Sequence, residues 1–550
     1  MDIDMSNLSK GSSYLNSCEI NLPSYSPTAF LNMFENCYNF KSFNLGQTST
    51  VNVTNLNYAF SNCNNLLSID VSNWDVSNVT VARSAFYNCR SLTSLDVSNW
   101  DTRNMVNMSS MFSNCSNLTD INVSNWDTSN SAYIGYLFSN CRNVTTLDVS
   151  NWNTKKVTGI VYAFEGCSKL TTVNVSNWDT NNIVNMASTF KNCSNLITVD
   201  VSNWNTSKVI EASGMFYSCY NLTDLDVSNW NTSNFGGTGA YNHGIANMFM
   251  YCRKLTTLNV SNWNTSKIRH MFEVFCYDEN LTTLDVSNWD TTNVQYINRM
   301  FESCNNLSAL DVSNWNTSNL IYMNAAFSGC SSLTSLDVSN WNTSNVNTMY
   351  DVFAGCTNIT ALNVRNWNLQ KVNRGIQYLF FGCQNLTSLD VANWNMYKAN
   401  NFCSTFTNCF NLTTLNLSGW NTANIINASK MFMNCNNLTT VELSTWNTAK
   451  IKDMGNMFAN CMNLTTFNMA TWNLGSLNSF YNMFYRCNNM TNASLESFIQ
   501  AVLTINVSNM SASYKNLKNT NSYSPLYQTK FDNSYYSSYV SALQAAGWIC

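Results

Sequence analysis

The sequence predicts an α/β repeat solenoid, an arc with a parallel sheet on one face and short helices on the other. Tryptophan recurs every 26 residues, and each repeat changes from strand-like to helix-like spacing of its apolar residues. A fixed period of this size is typical of stacked repeats. Because a unit of 26 residues cannot cover its own apolar side, we expect about 17 coils in one continuous stack.

The tryptophans define the repeat. The register begins with Trp74, Trp100, Trp126 and Trp152, and sixteen of the 17 tryptophans obey it. Their constant position after the strand predicts that the indoles fill the core, since a carbohydrate-stacking platform would need them exposed. We therefore interpret this column as structural.

Residues 92–115, LTSLDVSNWDTRNMVNMSSMFSNC, show the two halves of one unit. Leu95 and Val97 alternate with polar residues, which predicts a strand with one buried face. Apolar residues then recur at i, i+3, i+7 and i+10, the stripe of a short helix: Met105, Met108, Phe112 and Cys115. Helices are wider than strands, so they would bend the stack into an arc.

A cysteine ends each apolar stripe, and the column contains Cys63, Cys89, Cys115 and Cys141. Only Asp278 interrupts it. We interpret the thiols as small buried hydrophobic groups. Parallel side chains at strand spacing would need distortion to form disulfides, and no CxxC pair suggests zinc. The four cysteines outside the column are candidates for exposed or pairing thiols: Cys18, Cys276, Cys403 and Cys550.

A second ladder of Asp or Asn lies between the two inward strand residues, as at Asp70 and Asp96. A cation-binding role is conceivable because calcium favours oxygen clusters. The ladder offers few converging ligands per coil, however, and a solvated, hydrogen-bonded ladder is the preferred interpretation. Its carboxylates are also equivalent from coil to coil, so no two of them stand out as the acid and nucleophile or base of a glycoside hydrolase. We predict no catalytic residue, no metal and no cofactor.

One insertion and a set of tyrosines are the candidates for recognition. Residues 231–252 carry seven extra positions, and we predict a recognition loop there, containing Gly236, Gly237, Gly239, Tyr241 and His243. His243 and His270 are about one coil apart and are expected to be surface histidines in ion pairs. Tyrosines at changing phases after the tryptophan are expected to be exposed in part, among them Tyr133, Tyr136, Tyr162, Tyr296 and Tyr322.

The chain ends are predicted to be caps, because an end coil otherwise exposes its apolar face. We assign 1–36 to an N-terminal cap, 37–490 to the solenoid and 491–550 to a C-terminal cap. An amphipathic helix is expected after Cys487, with Asn492 or Ser494 as its N-cap. A second helix is expected to stop at Gly547.

Composition restricts the partners. Charged residues make up 11% of the chain and histidine occurs twice, so general acid–base chemistry is not expected. The net charge of −4 without a basic run argues against nucleic acid and anionic membranes. The first residues show no signal-peptide pattern and no run approaches about 20 apolar residues, so we expect no membrane-spanning segment and see no export signal.

The unit LxxLDVSNWxTSNVxxMxxMFxxCxNL, which covers approximately residues 34–490, resembles the BspA-like leucine-rich repeat. Members of that family include bacterial surface adhesins, mycoplasma surface lipoproteins, protist surface proteins and proteins encoded by phages. The resemblance implies a leucine-rich-repeat-like fold and extracellular recognition without catalysis. The closing segment YVSALQAAGWIC is similar to terminal Gly-Trp caps of repeat proteins carried on phage genomes.

These observations lead to a non-catalytic recognition or structural protein, with a phage virion or prophage-encoded host-recognition protein preferred. A bacterial cell-surface adhesin and an intracellular scaffold are the alternatives. The expected partner is a protein or glycan on a cell surface, or another virion protein. The expected location is extracellular, on a virion or a cell surface, with a cytoplasmic stage before release if the chain is phage-encoded. An enzyme is the opposing hypothesis, and it would require a deep pocket that holds a strongly perturbed carboxylate or histidine away from solvent. The oligomeric state is not predicted.

Overall fold

The structure is a computed structural model that describes residues 3–237, 243–505, 507, 510, 515, 517, 524–529 and 539–549. It divides into two compact units, Met1–Leu281 and Thr282–Cys550. The predicted solenoid is confirmed: the fold is a leucine-rich-repeat-like β-solenoid of about 17 turns with repeats of about 26 residues.

The strands are two or three residues long and pair in parallel. Those of the first unit are β1 (Ile3–Asp4), β2 (Ser17–Glu19), β3 (Pro27–Ala29), β4 (Ser42–Asn44), β5 (Ser68–Ile69), β6 (Thr146–Leu147) and β7 (Thr172–Val173). Those of the second unit are β8 (Ala361–Leu362), β9 (Ser388–Leu389), β10 (Thr414–Asn416) and β11 (Thr440–Glu442).

Two hydrogen-bonded ladders connect neighbouring coils. The first ladder holds the strand sequence before each tryptophan, and its pairs are β2–β4–β5, β6–β7, β8–β9 and β10–β11. The second ladder begins with β1–β3 and continues through single bridges such as Asn107↔Tyr133 and Tyr133↔Gly159. Corresponding residues therefore lie one coil apart along each ladder.

The predicted short helices are wrong, because the second half of each coil consists of successive turns. Phe112 N donates to Leu137 O in the next coil at 3.0 Å, whereas Met111 N donates to Met108 O within the coil at 3.2 Å. Ser110 and Asn114 have φ values of 57° and 64°. An α-helix needs negative φ throughout and donation to residue i−4. The arc was predicted from the greater width of helices relative to strands. Because the coils contain turns instead of helices, the arc stays a prediction.

The interior is organised as columns. Trp74, Trp100, Trp126 and Trp152 are all buried. The rings of Trp100 and Trp126 stack with centroids 6.2 Å apart, and Trp100 Nε1 donates to Val71 O at 3.1 Å. This hydrogen bond satisfies the polar atom of a ring that otherwise fills the core.

The cysteine column runs beside a column of phenylalanines. Cys63, Cys89, Cys115 and Cys141 are buried, and Cys115 Sγ donates to Phe86 O at 3.1 Å. Burial raises the pKa of Cys115 to about 12, so the thiol stays protonated near neutral pH. Asp278 occupies the position predicted for it in this column and is also buried.

The structure describes two helices, both after the last repeat tryptophan. The first, α1, spans Asn492–Val502, and its N-cap is Thr491, whose hydroxyl accepts from Ser494 N at 3.3 Å. The N-cap therefore lies one residue before Asn492 and three residues before Ser494, so both predicted N-caps are wrong. The second, α2, spans Val540–Ala545. Gly547 follows with a φ of 87°, as predicted for the residue that stops it.

The proposed caps remain predictions, although β1 and β2 already contribute to the two ladders. Neither described helix has the length and apolar character needed to cross a membrane.

Candidate binding surface along the second ladder

The outward face of the first ladder is nearly uniform, and its carboxylates are used locally. Asp96 Oδ1 accepts from Ser98 Oγ at 2.6 Å and from Ser98 N at 3.1 Å. These hydrogen bonds lower the pKa of Asp96, and the same arrangement recurs at Asp70, Asp148 and Asp226. Among the described residues, no group of three or more His, Cys, Asp or Glu side chains is arranged to hold a metal ion.

The second ladder differs because its members change from coil to coil. In the first unit its single bridges join Asn55, Val81, Asn107, Tyr133, Gly159, Asn185 and Glu211. Members of the second unit include Tyr296, Tyr322, Thr348, Asn401, Asn427, Asp453 and Ser479. A surface that varies along a regular scaffold can give different coils different binding properties.

Asparagine on this ladder folds back onto its own coil. Asn107 Oδ1 accepts from Ser109 N at 3.0 Å, and Asn185 Oδ1 accepts from Ala187 N at 2.9 Å. Tyr133 and Gly159, which lie between these two residues on the ladder, lack such an acceptor. The regular row of side chains is therefore interrupted there.

The interruption forms an open cavity of about 570 Å³, which we call the Tyr133 pocket. Tyr133 is 54% exposed, and Tyr136 beside it stacks on Tyr162 with centroids 4.7 Å apart. The residues that line this cavity include Arg83, Asn107, Tyr133, Tyr136, Gly159 and Asn185. An aromatic ring surrounded by amides and a guanidinium suits binding of a polar ligand with one flat face.

A second open cavity, of about 440 Å³, lies in the second unit. Arg299, Glu302 and Asp351 line it, with Arg299 and Glu302 forming an ion pair. Burial and the nearby negative charge of Glu302 raise the pKa of Asp351 to about 6. Asp351 is only partly buried, so it is not a carboxylate held away from solvent of the kind that the enzyme hypothesis requires.

The structure describes the ends of the predicted recognition loop. Gly236 has a φ of 78°, and a Cβ there would lie 2.8 Å from Lys267 O, so only glycine fits. Gly237 follows it in the described chain, whereas Gly239 and Tyr241 lie outside the described residues. Recognition by this loop stays a prediction.

His243 lies against His270 at the end of the same loop. Their Nδ1 atoms are 3.1 Å apart, and His243 N donates to Glu211 Oε2 at 2.7 Å. Burial, then the charges of His243 and Arg269, lower the pKa of His270. The two rings therefore pack against each other, with centroids 5.1 Å apart, and the expected ion pairs stay a prediction.

The cysteines outside the column differ in accessibility. Cys18 and Cys403 are partly exposed, Cys276 is completely buried and Cys550 lies outside the described residues. The expectation of an exposed thiol is therefore wrong for Cys276, which follows Phe275 of the interior phenylalanine column. No disulfide joins the cysteines that the structure describes.

We predict that a thiol reagent labels the native protein rapidly at Cys18 and Cys403 and slowly at the column, because reaction needs an accessible thiolate. Peptide mass spectrometry after timed labelling with iodoacetamide measures this. The Cys18→Ser/Cys403→Ser variant should lose both rapidly labelled peptides, and denaturant should expose all 21 cysteines of the wild-type chain. Rapid native labelling of Cys115 would contradict the prediction.

Short parallel strands, stacked apolar columns and a variable outward ladder define a leucine-rich-repeat-like solenoid protein. The chain belongs to the family described as Mycoplasma protein of unknown function, DUF285, which matches residues 28–146, 132–241, 243–358, 300–416 and 400–525. No curated protein matches the chain.

Solved structures with a similar architecture come from several bacteria. A leucine-rich repeat protein of Bacteroides ovatus is 18% identical, with 75% of this chain and 81% of that chain covered and a TM-score of 0.29. A leucine rich cell surface protein of Faecalibacterium prausnitzii is 13% identical, with 84% and 81% covered and a TM-score of 0.22. An internalin of Listeria monocytogenes is 16% identical, with 56% and 83% covered and a TM-score of 0.22. These values are too low to assign a function.

Proposed function

We propose that the chain is a non-catalytic recognition protein that acts outside a cell, where the second ladder contacts a protein or glycan on a cell surface. The contrast between the two ladders carries this proposal. The first ladder repeats small hydroxyl residues with Asp or Asn, whereas the second presents tyrosine, glycine, asparagine and acidic residues in a changing order. Specific binding needs such differences between coils.

Of the possible settings, a bacterial cell-surface protein related to the BspA-like adhesins is preferred. Its support is the mycoplasma description of the family together with the repeat motif. The virion or prophage role, which was preferred from the sequence alone, becomes the second candidate, and its support is the closing Gly-Trp segment, in which Gly547 follows α2 and Trp548 is buried.

Whole-cell binding tests the recognition function. Tyr133→Asn and Tyr322→Asn each introduce the asparagine that other coils carry on the second ladder, so the fold should be retained. We expect one or both to reduce binding of the labelled protein to its target cells at least tenfold. Thr172→Ala, an exposed change on the first ladder, is the matched control and should leave binding unchanged.

Binding that is lost equally in the control, or that is absent for the wild-type protein on every bacterial and host cell tested, would contradict the proposal. Protease treatment of intact producing cells, followed by mass spectrometry of the released peptides, tests the surface setting. Recovery of the chain from purified phage particles instead would favour the virion role.

A further inference from the structure

We propose that the Tyr133 pocket binds a saccharide, with one pyranose ring lying against Tyr133 in the space above Gly159. This inference rests on the proposed recognition function and specifies its ligand class.

The ladder position at Gly159 corresponds to one that an aromatic ring occupies in the second unit. On the same ladder of the second unit, Tyr296 and Tyr322 stack across adjacent coils with centroids 5.4 Å apart and an interplanar angle of 24°. Tyr133 has the same relation to Gly159, which contributes no side chain. A ligand ring can therefore stack on Tyr133 where Tyr322 stacks on Tyr296.

The backbone leaves real space at this position. A Cβ built on Gly159 would have Asn185 O, at 3.4 Å, as its nearest neighbour, which is an ordinary contact distance. The cavity of about 570 Å³ also falls within the range of roughly 300–1,000 Å³ that is usual for small-molecule sites.

One amide borders the gap and a second lies elsewhere on the pocket lining: Asn185 follows Gly159 on the ladder, whereas Asn107 lies on the other side of Tyr133. The Oδ1 atoms of Asn107 and Asn185 are used in their own turns, and neither Nδ2 donates to another described residue. Arg83 is the one charged side chain among the described lining residues, and its guanidinium lies 5.8 Å from the ring centre of Tyr58. The guanidinium of Arg83 therefore lies over Tyr58, and the donors available to a ligand on Tyr133 are the two asparagine amides.

A pyranose fits this combination better than a peptide side chain does. One face of the sugar ring presents C–H groups to an aromatic ring, and its edge presents hydroxyl groups to amides. An aromatic or proline side chain of a peptide would fill the space beside Tyr133 but carries no acceptor for the amide donors.

Glycan-array binding with the full chain, followed by saturation-transfer NMR with the methyl pyranosides of glucose, galactose, mannose and N-acetylglucosamine, tests the inference. We expect at least one pyranoside to bind with its ring protons saturated. Gly159→Asn, which gives this coil the side chain that Asn185 has in the next coil, should weaken binding at least tenfold by filling the gap. Tyr133→Leu should do the same by removing the ring.

Tyr14→Leu is the matched control, since it makes the same substitution at a tyrosine that is 93% exposed and belongs to neither ladder, and it should not change pyranoside binding. Circular dichroism verifies that each variant is folded. Absence of binding to the array and to all four pyranosides would overturn the inference, as would binding that survives Gly159→Asn or capture of only peptides in this pocket. Cell binding measured on the same samples separates the two proposals, because recognition without saccharide binding would leave the proposed function standing.

Discussion

Replacing Trp152 with alanine is expected to lower the free energy of unfolding of the first unit by about 3–5 kcal/mol, the usual cost of removing a large core side chain. The indole lies between Trp126 and Trp178, with centroids 6.2 Å away on each side, and its Nε1 donates to Val123 O at 3.1 Å. The substitution therefore creates a cavity between coils and leaves a buried carbonyl without its donor.

Urea unfolding followed by far-ultraviolet circular dichroism measures this effect without relying on tryptophan fluorescence. Because repeat stability depends on contacts between neighbouring coils, the transition should also broaden or split. Tyr14→Ala is the control, since Tyr14 is 93% exposed and the change should be within about 0.5 kcal/mol. A Trp152→Ala transition that coincides with the wild-type curve would show that the indole column does not stabilise the stack.

The columns could be predicted from the sequence because a constant period places equivalent residues one above the other. The period of 26 residues placed the tryptophans, the cysteines and Asp278 without any knowledge of the backbone between them. The alternation around Leu95 and Val97 also identified the first ladder, since side chains of a strand point alternately in and out.

The second half of the coil was predicted wrongly because successive three-residue turns and a helix can both place apolar residues three or four positions apart. A signal that separates them was present in the residue before each column cysteine. Asn114 and Asn140 occupy that place in two coils and Gly166 in the next, and all three have positive φ. Exchange of Asn with Gly indicates the left-handed region, which an α-helix cannot contain.

The binding surface was hidden by the same error. The period places Tyr133 and Gly159 in one column, but with the second half of the coil taken as a helix that column was not recognised as an outward-facing ladder, and only the exposure of some tyrosines was expected. The second ladder places them side by side. A glycine at a position that carries a polar side chain in neighbouring coils was the available sequence signal for a gap.

Asp278 is expected to make the first unit less stable as pH rises. Burial raises the pKa of its carboxyl well above the usual range, opposed only in part by the N–H of Cys252, which donates to Oδ1 at 2.8 Å. The unfolded chain releases this proton above a pH of about 4, whereas the folded chain retains it. The folded state therefore binds more protons, and its stability falls with pH by up to about 1.4 kcal/mol per unit until the folded-state pKa is reached.

Asp278→Asn isolates this effect because the amide keeps an acceptor for Cys252 N but cannot ionise. Asp278→Cys restores the column residue of the other coils. Other groups also titrate, so the quantity to compare is the difference in urea midpoint between each variant and the wild-type protein at pH 4 and pH 7. Both variants should gain stability relative to the wild type as pH increases. A difference that does not change with pH would mean that the Asp278 carboxylate is already charged inside the folded column, and that water or a rearranged neighbour offsets the cost of burying it.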